Sequence, residues 1–231
     1  MIRWLILCYM FLFGSAYKSL ILKPGGLKGF YVMGICQYIK QHYDMSDWNY
    51  YGASAGAWNA LYLSCAKGDD LISAVKEMNQ FEYVDLYDLE RTIKKNLIKQ
   101  LSIDDFDVEK LHICVSNKQE TFPCLRKNIF TDFQDLDDLI ECCIASSHIP
   151  LISNGRFFYK YHNIPSLDGG LFKDPHGIEL VPDFVLTPEM WNNKKTNTMN
   201  RIHNMDIEGL LSEGYNDACQ HHHELDYYFE A

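Results

Sequence analysis

The sequence has no apolar run of about 20 residues, no Asn-x-Ser/Thr glycosylation motif and fewer basic than acidic residues. The absence of long apolar runs excludes a polytopic membrane protein, and a hydrophobic content of 47% excludes a disordered chain. Because 31 Asp and Glu outnumber 21 Lys and Arg, the net charge of −10 opposes binding to nucleic acids and to anionic membrane surfaces. The missing glycosylation motif weighs against passage through a glycosylating compartment.

The eight cysteines form no pair of Cys-x-x-Cys motifs, so the sequence does not indicate a structural zinc site. A chain of 231 residues can bury a sizeable core without disulfides, and we expect its cysteines to be buried free thiols. The run from His221 to His223 lies among acidic residues, where we expect solvated side chains. We therefore expect neither a metal nor another cofactor.

An apolar segment, Trp4 to Phe13, follows Arg3 and precedes the small residues 14–16. This pattern is typical of a short signal peptide, although the run is too short for a comfortable membrane span. A buried or interfacial N-terminal element is the alternative. We therefore separate residues 1–17 from a central domain at 18–190 and from a polar loop and acidic tail at 191–231.

Strand-like and helical patterns alternate along the central domain. Strands are predicted at 19–23, 48–51, 111–116, 156–161 and 183–186. Helices are predicted at 28–41, from 55 to 66, around 71–78, at 86–101, and up to 145, with Asp69 or Asp70 and Thr131 or Asp132 as N-caps. This alternation predicts an α/β fold with a mostly parallel sheet. The tail after Arg201 carries acidic residues and neither Lys nor Arg, which predicts a solvated helix or, alternatively, a partner-binding tail.

The pattern Gly52-x-Ser54-x-Gly56 lies between a predicted strand and a predicted helix. A sharp strand-to-helix turn exposes a serine oxygen, and small neighbours such as Ala55 let the backbone make that turn. The N-terminus of the helix favours negative charge developing near the serine. An ordinary turn of small residues is the alternative.

A second glycine cluster, Gly25-Gly26-Leu27-Lys28-Gly29, follows the first predicted strand. Consecutive glycines can aim their N–H groups into one cavity, as an oxyanion hole requires. The spacing matches neither the dinucleotide-binding pattern nor the Walker pattern. A plain glycine turn is again the alternative.

A third pattern, Asp168-Gly169-Gly170, follows a short extended segment. Asp168 could accept the Ser54 proton directly if the two side chains lie within hydrogen-bonding reach. The alternatives are a hairpin turn with a solvated aspartate and a late histidine as the base, as in α/β-hydrolases. The histidines available for that role are His176, His203, His221, His222 and His223.

Four motifs together resemble the patatin-like phospholipases, closest to the adiponutrin-like branch. They are PGGLKGF at 24–30, GASAGA at 52–57, ASSHIP at 145–150 and DGG at 168–170. Their order and spacing match the family from roughly Ser19 to Phe172. The resemblance implies a three-layer sandwich with a mostly parallel central sheet flanked by helices. It also implies a serine acyl hydrolase that cleaves ester bonds of phospholipids or other glycerolipids.

The resemblance implies Ser54 as nucleophile and Asp168 as base, without a histidine. It places oxyanion N–H donors in Gly25, Gly26, Lys28 and Gly29, and we add the N–H group of Ala55. One departure from the family is Pro24, which replaces a third glycine and has no N–H to donate. Two other readings remain: a catalytically inactive lipid-binding scaffold, or a Ser-His-Asp esterase.

The implied partner is a lipid at a membrane or micelle surface. We expect a cytoplasmic, peripherally membrane-associated protein, with the secretory pathway as the alternative if the N-terminal segment is a signal peptide. The candidate docking elements are the segment Trp4 to Phe13 and the aromatic cluster Phe157, Phe158, Tyr159 and Tyr161, although core packing also explains that cluster.

Overall fold

The computed structural model describes residues 17–119, 125–171, 181–192 and 205–230. The apolar segment Trp4 to Phe13, the histidines His176 and His203, and most of the predicted loop 191–204 lie outside the described residues. No described helix is both long enough and apolar enough to span a lipid bilayer.

Seven strands form one sheet. They are β1 (Lys18–Leu22), β2 (Trp48–Ala53), β3 (Leu111–Lys118), β4 (Leu125–Phe130), β5 (Tyr159–Tyr161), β6 (Ile164–Asp168) and β7 (Phe184–Leu186). Strands β7, β1, β2 and β3 are parallel neighbours, whereas β4 and β6 run antiparallel to β3, and β5 runs antiparallel to β6.

The helices lie between and after these strands. They are α1 (Gly29–His42), α2 (Ala55–Ser64), α3 (Gly68–Lys76), α4 (Leu86–Gln100), α5 (Leu136–Ser147), α6 (Ile207–Gln220) and α7 (His222–Phe229). Short 3-10 turns occur at Gly26–Lys28, Glu77–Gln80, Ile103–Asp105, Val108–Lys110 and Met190–Asn192. The predicted α/β fold, with a mostly parallel sheet and flanking helices, is confirmed.

Two predicted helix starts are wrong. The helix α3 begins before Asp69 and Asp70, so these residues lie in its first turn and the residue at the cap position makes no side-chain hydrogen bond. The helix α5 is capped by Asp135, whose carboxylate accepts the N–H of the third helical residue, and not by Thr131 or Asp132. Near each helix start, several acidic or hydroxyl residues could act as the N-cap. The sequence alone does not show which of them takes the cap position.

Strands β2 and β6 pair with the same edge of β3, one after the other. On one side, β3 pairs with β4. On its other side, the first half of β3 pairs with β2 and the second half pairs with β6. Strand β2 ends with Ala53 opposite Cys114, and β6, which runs the other way, ends with Asp168 opposite Val115. The carboxyl ends of β2 and β6 therefore meet head to head, although the two strands are far apart in the sequence.

One face of the parallel strands is fully buried. Leu20, Tyr50 and Leu111 are register neighbours on this face, and each is at most 3% exposed. The next residues along, Tyr51 and His112, point to the opposite face, are half-buried and stack with ring centroids 4.2 Å apart. The helix α2 contacts β1, β2 and β3, so the residues that follow β2 are held against the sheet.

The acidic tail folds onto the domain through α6 and α7. Helix α6 packs against α1 and buries Leu210. The Tyr31 hydroxyl of α1 donates a 2.8 Å hydrogen bond to the Asp217 carboxylate of α6. Phe229 of α7 lies on Trp48, with ring centroids 4.8 Å apart. The prediction of a solvated tail helix is therefore wrong for α6, because net charge does not show that the apolar residues share one face.

The prediction of buried free thiols is confirmed for four of the described cysteines and wrong for Cys219, which is exposed. The four that are buried and free are Cys36, Cys65, Cys142 and Cys143, while Cys114 is half-buried.

Candidate functional site

Ser54 occupies the sharp turn between β2 and α2 that its flanking glycines predict. Its backbone has φ 56° and ψ −129°, which is an unusual conformation for a residue with a side chain. A Cβ atom on Gly56 would lie 2.0 Å from the Leu22 carbonyl oxygen, so only glycine allows the turn to approach β1 this closely. The Ser54 side chain does not cap α2, which leaves its hydroxyl available at the turn.

Asp168 lies at the end of β6, where the two strand ends meet. Ser54 follows Ala53, which pairs with Cys114, and Asp168 pairs with Val115, so the structure brings the two predicted residues to neighbouring strand ends. The Gly170 N–H donates a 2.6 Å hydrogen bond to Asp168 Oδ1 and holds the carboxylate in place. Burial raises the pKa of Asp168, while the hydrogen bonds from Ser54 and Gly170 and the charge of Lys127 oppose this increase.

The end of α5 links the turn at Ser54 to the turn at Asp168. The Ser54 N–H donates to Ser146 Oγ at 2.9 Å, and Ser146 Oγ donates to the Cys114 carbonyl at 2.6 Å. The Gly169 N–H donates to the Ser146 carbonyl at 2.9 Å, and the Asp168 N–H donates to the His148 carbonyl at 2.8 Å. The sequence marks this segment only as part of a family motif, and no signal in it pointed to Ser146 as the residue that holds both turns.

We expect Ser146→Ala to lower kcat for ester hydrolysis about tenfold with little change in KM. The variant leaves the buried Ser54 N–H without its acceptor, and an unpaired buried donor costs roughly 1–3 kcal/mol of free energy. Kinetics on a soluble ester would measure the effect, and Ser146→Thr, which keeps a hydroxyl, should restore part of the rate. Ser64→Ala is the matched control, because Ser64 is equally buried but donates only to the Leu61 carbonyl of its own helix. An unchanged kcat in Ser146→Ala would contradict the positioning role.

The glycine loop forms a 3-10 turn directly before α1. The N–H of Lys28 donates to the Gly25 carbonyl at 3.2 Å, and the N–H of Gly29 donates to carbonyls within the turn. These two predicted oxyanion donors are thus engaged in the turn itself. The N–H groups of Gly25, Gly26 and Ala55 find no acceptor among the described residues.

A largely apolar cavity opens beside Ser54. Its wall includes Ser54, Ala55, Gly26 and Gly29, and its volume is about 60 Å³. Helices α1, α3 and α4 supply most of the apolar wall, with Phe30, Met33, Leu71, Val75, Ile93 and Leu97. Ser54 and the glycine loop therefore share one pocket.

No described histidine lines this cavity, and no described imidazole forms a hydrogen bond with the side chain of Ser54 or Asp168. His148 is fully buried, and its Nε2 lies 3.3 Å from the Arg156 carbonyl. His222 and His223 lie on α7 with Asp226, and their ligand atoms lie within 4.8 Å of one another, at the opposite end of β2 from Ser54. His176 and His203 lie outside the described residues.

The structure also adds two polar residues that the sequence did not mark. Asn59 of α2 and Glu90 of α4 line the cavity and are both fully or almost fully buried. The sequence predicted helices over both positions but singled out neither residue. No short motif surrounds either residue, and only the cavity reveals them.

Comparison of the chain with models of protein families finds no matching family, and comparison with curated proteins finds no match. The resemblance to patatin-like phospholipases therefore stays a prediction that rests on the four motifs.

Proposed function

We propose that the protein is a lipid acyl hydrolase that cleaves carboxylic esters through Ser54 and Asp168. The observation that carries the proposal is the pairing of a serine in a strained turn with a buried carboxylate, at an apolar cavity. An exposed serine hydroxyl is a weak nucleophile until a neighbouring base accepts its proton. We further propose the patatin-like three-layer arrangement for the fold, with lipid at a membrane or micelle surface as the substrate.

In the first half of the reaction, Ser54 Oγ attacks the ester carbonyl carbon and Asp168 accepts the hydroxyl proton. The N–H groups of Gly26 and Ala55, with Gly25 as a further donor, stabilise the oxyanion. The intermediate then expels the alcohol, which takes the proton from Asp168, and leaves an acyl group on Ser54. Pro24 does not impair this step, since the donors lie after it.

In the second half, water attacks the acyl carbonyl and passes a proton to Asp168. The bond from the acyl group to Ser54 Oγ breaks, the proton returns to Ser54, and the fatty acid leaves. The apolar cavity is suited to an acyl chain, because its wall is built from aliphatic and aromatic side chains.

The proposal is tested by hydrolysis of p-nitrophenyl esters and of phospholipids in mixed micelles, with the wild type and dyad variants side by side. Turnover by the wild type supports the proposal if both dyad variants lose it. No turnover on any ester would instead favour a lipid-binding scaffold with the same fold.

The acid limb of the pH–rate profile is expected above the ordinary aspartate pKa of about 3.9. Burial raises the pKa of Asp168, and the base works only when ionised, so kcat/KM should fall as the pH drops through that raised value. Since Lys127 lowers this pKa, Lys127→Gln should move the acid limb to higher pH. Lys160→Gln is the matched control, because Lys160 of β5 is exposed. An acid limb that Lys127→Gln does not move would contradict Asp168 as the titrating base.

We expect the loop after α5 to contact the lipid surface. Ile149 lines the cavity, and Leu151, Ile152 and Phe157 on the same loop are 64%, 65% and 49% exposed. Of the aromatic cluster predicted as a docking element, Phe157 is exposed on this loop, whereas Tyr161 is buried in the core. These exposed apolar side chains would insert between lipids despite the negative charge of the protein.

Replacing Leu151 and Ile152 with glutamate should weaken binding to zwitterionic vesicles roughly tenfold, because two apolar contacts are lost. Vesicle co-sedimentation measures binding, and hydrolysis of a soluble short-chain ester should stay unchanged. Val181→Glu is the control, because Val181 is 87% exposed and precedes β7 at the other end of the parallel strands. Equal binding by all three proteins would remove this loop as the docking element.

A further inference from the structure

Two polar side chains stand in the apolar wall of the cavity without hydrogen-bond partners. Glu90 is 2% exposed and Asn59 is 0% exposed. Neither oxygen of Glu90 and neither amide atom of Asn59 has a partner among the described residues. Leaving a buried polar group unpaired costs roughly 1–3 kcal/mol, so four such atoms around one cavity indicate that something else binds them.

The neighbours of Glu90 are already committed to other bonds. The Trp58 indole N–H donates to Ser147 Oγ at 3.0 Å, and the Ser147 hydroxyl donates to the Cys143 carbonyl at 2.9 Å. Each of these groups has one hydrogen, so none is left for Glu90. The carboxyl group lines the cavity, where a bound ligand can form a hydrogen bond with it.

Glu90 occupies a position that the packing of α4 would assign to leucine. Leu86, Leu89, Ile93 and Leu97 of the same helix line the same cavity, at the spacing of one apolar face. Burial raises the pKa of Glu90 well above the usual range, and the negative charge of Asp168 adds to the increase. In its protonated form, which burial favours, the carboxyl group offers one O–H donor and one carbonyl acceptor.

We propose that the cavity binds an acyl chain that carries a hydroxyl or oxo group, which hydrogen-bonds to Glu90 and Asn59. This inference rests on the proposed function, because it names the class of acyl chain that the hydrolase prefers. A hydroxyl group donates and accepts, and it therefore matches both the neutral carboxyl group and the amide. A plain alkyl chain would leave all four polar atoms unpaired, which lowers its affinity.

The test compares p-nitrophenyl decanoate with its monohydroxy analogues, in which the hydroxyl is placed at each carbon from the sixth onward. Hydroxyls at carbons four and five are avoided because those chains close to lactones. The wild type should prefer one or two of the analogues by about tenfold in kcat/KM, the effect of one well-placed hydrogen bond. Glu90→Leu should lose this preference and gain activity on the plain ester.

Two further variants separate recognition from folding. Glu90→Gln keeps a neutral donor and acceptor and should retain most of the preference, while Asn59→Leu should reduce it. Equal preference in the wild type and a folded Glu90→Leu, or preference for the plain ester at every position, would overturn the inference. Those outcomes would leave an enclosed water molecule as the partner of both groups.

Binding of the free acids keeps this inference distinct from the proposed function. Isothermal titration of wild-type protein with decanoic acid and the hydroxydecanoic acids requires no turnover. A preference for a hydroxy acid that disappears in Glu90→Leu would support the polar subsite even if no ester is hydrolysed, in which case the hydrolase proposal alone fails. Equal binding of all the acids, or no binding, would overturn the subsite.

Discussion

Ser54→Ala and Asp168→Asn should each lower kcat for ester hydrolysis by about 10⁴-fold, the loss typical when one member of a nucleophile–base pair is removed. Alanine removes the attacking oxygen. Asparagine is close in shape to aspartate but cannot accept the Ser54 proton. The double variant should be no worse than either single one, because the two groups act as a unit. Steady-state kinetics on soluble esters and on mixed micelles measure the loss.

Folding of the dyad variants is the necessary control. Circular dichroism should match the wild type, and Asp168→Asn should unfold at an equal or higher temperature. The sign follows from the raised pKa of Asp168: a buried carboxyl whose folded pKa lies above its unfolded value loses stability as the pH rises through the folded value. A neutral asparagine removes that loss near neutral pH.

The backbone at Ser54 gives an independent readout. A residue with a side chain at φ 56° and ψ −129° stores roughly 1–3 kcal/mol of strain. Ser54→Gly should therefore be inactive and more stable than Ser54→Ala, because glycine adopts this conformation without a clash. Turnover that survives Ser54→Ala would refute the mechanism, and loss of turnover on replacing His176 or His203 but not Asp168 would favour a Ser-His-Asp esterase.

Gly34→Ala and Gly214→Ala should each lower the free energy of unfolding by about 3 kcal/mol, the upper end of the usual cost of overpacking. A Cβ atom on Gly34 would lie 2.0 Å from the Leu211 carbonyl oxygen, and one on Gly214 would lie 1.9 Å from the Tyr31 carbonyl oxygen. Both contacts join α1 to α6, and their backbones would have to move apart to accept a methyl group. Denaturant unfolding followed by circular dichroism measures the change.

Gly68→Ala is the matched control for this pair. Gly68 also lies in a helix, but its nearest contact for an added Cβ is 3.4 Å, an ordinary van der Waals distance. Because alanine favours helices over glycine, the control should be neutral or slightly stabilising. If Gly214→Ala were as stable as the wild type, α6 would not be docked on α1. That result would favour the alternative of a partner-binding tail. If α6 is docked, removing the residues after 204 should unfold the domain and abolish hydrolysis together.

Much of the local structure could be predicted from the sequence. Alternating strand and helix patterns place β1, β2 and β3 and the helices α1, α2 and α4 close to their true bounds, since each pattern depends on residues a few positions apart. The turn at Ser54 was predictable for the same reason, because glycines on both sides serve a backbone conformation within that turn. Strand β4 and the cap of α5 were missed, since several residues nearby suited each role.

The candidate site could be predicted only in part. Ser54 and Asp168 were marked by short motifs, but no local pattern shows that they meet. Their meeting depends on β2 and β6 ending at adjacent positions on one edge of β3. Ser146, which holds both turns, has no motif of its own beyond its place at the end of a helix.

Composition and motifs alone established an α/β chain with a serine in a strand-to-helix turn and an aspartate in a glycine turn. These features depend on neighbouring residues, so the linear order of the chain contains them. The tertiary structure decided which distant groups meet: the dyad, the docking of the acidic tail on α1, and the unpaired Glu90 in the cavity wall. Such contacts join residues far apart in the chain, and they form only when the sheet order brings strand ends and helix faces together.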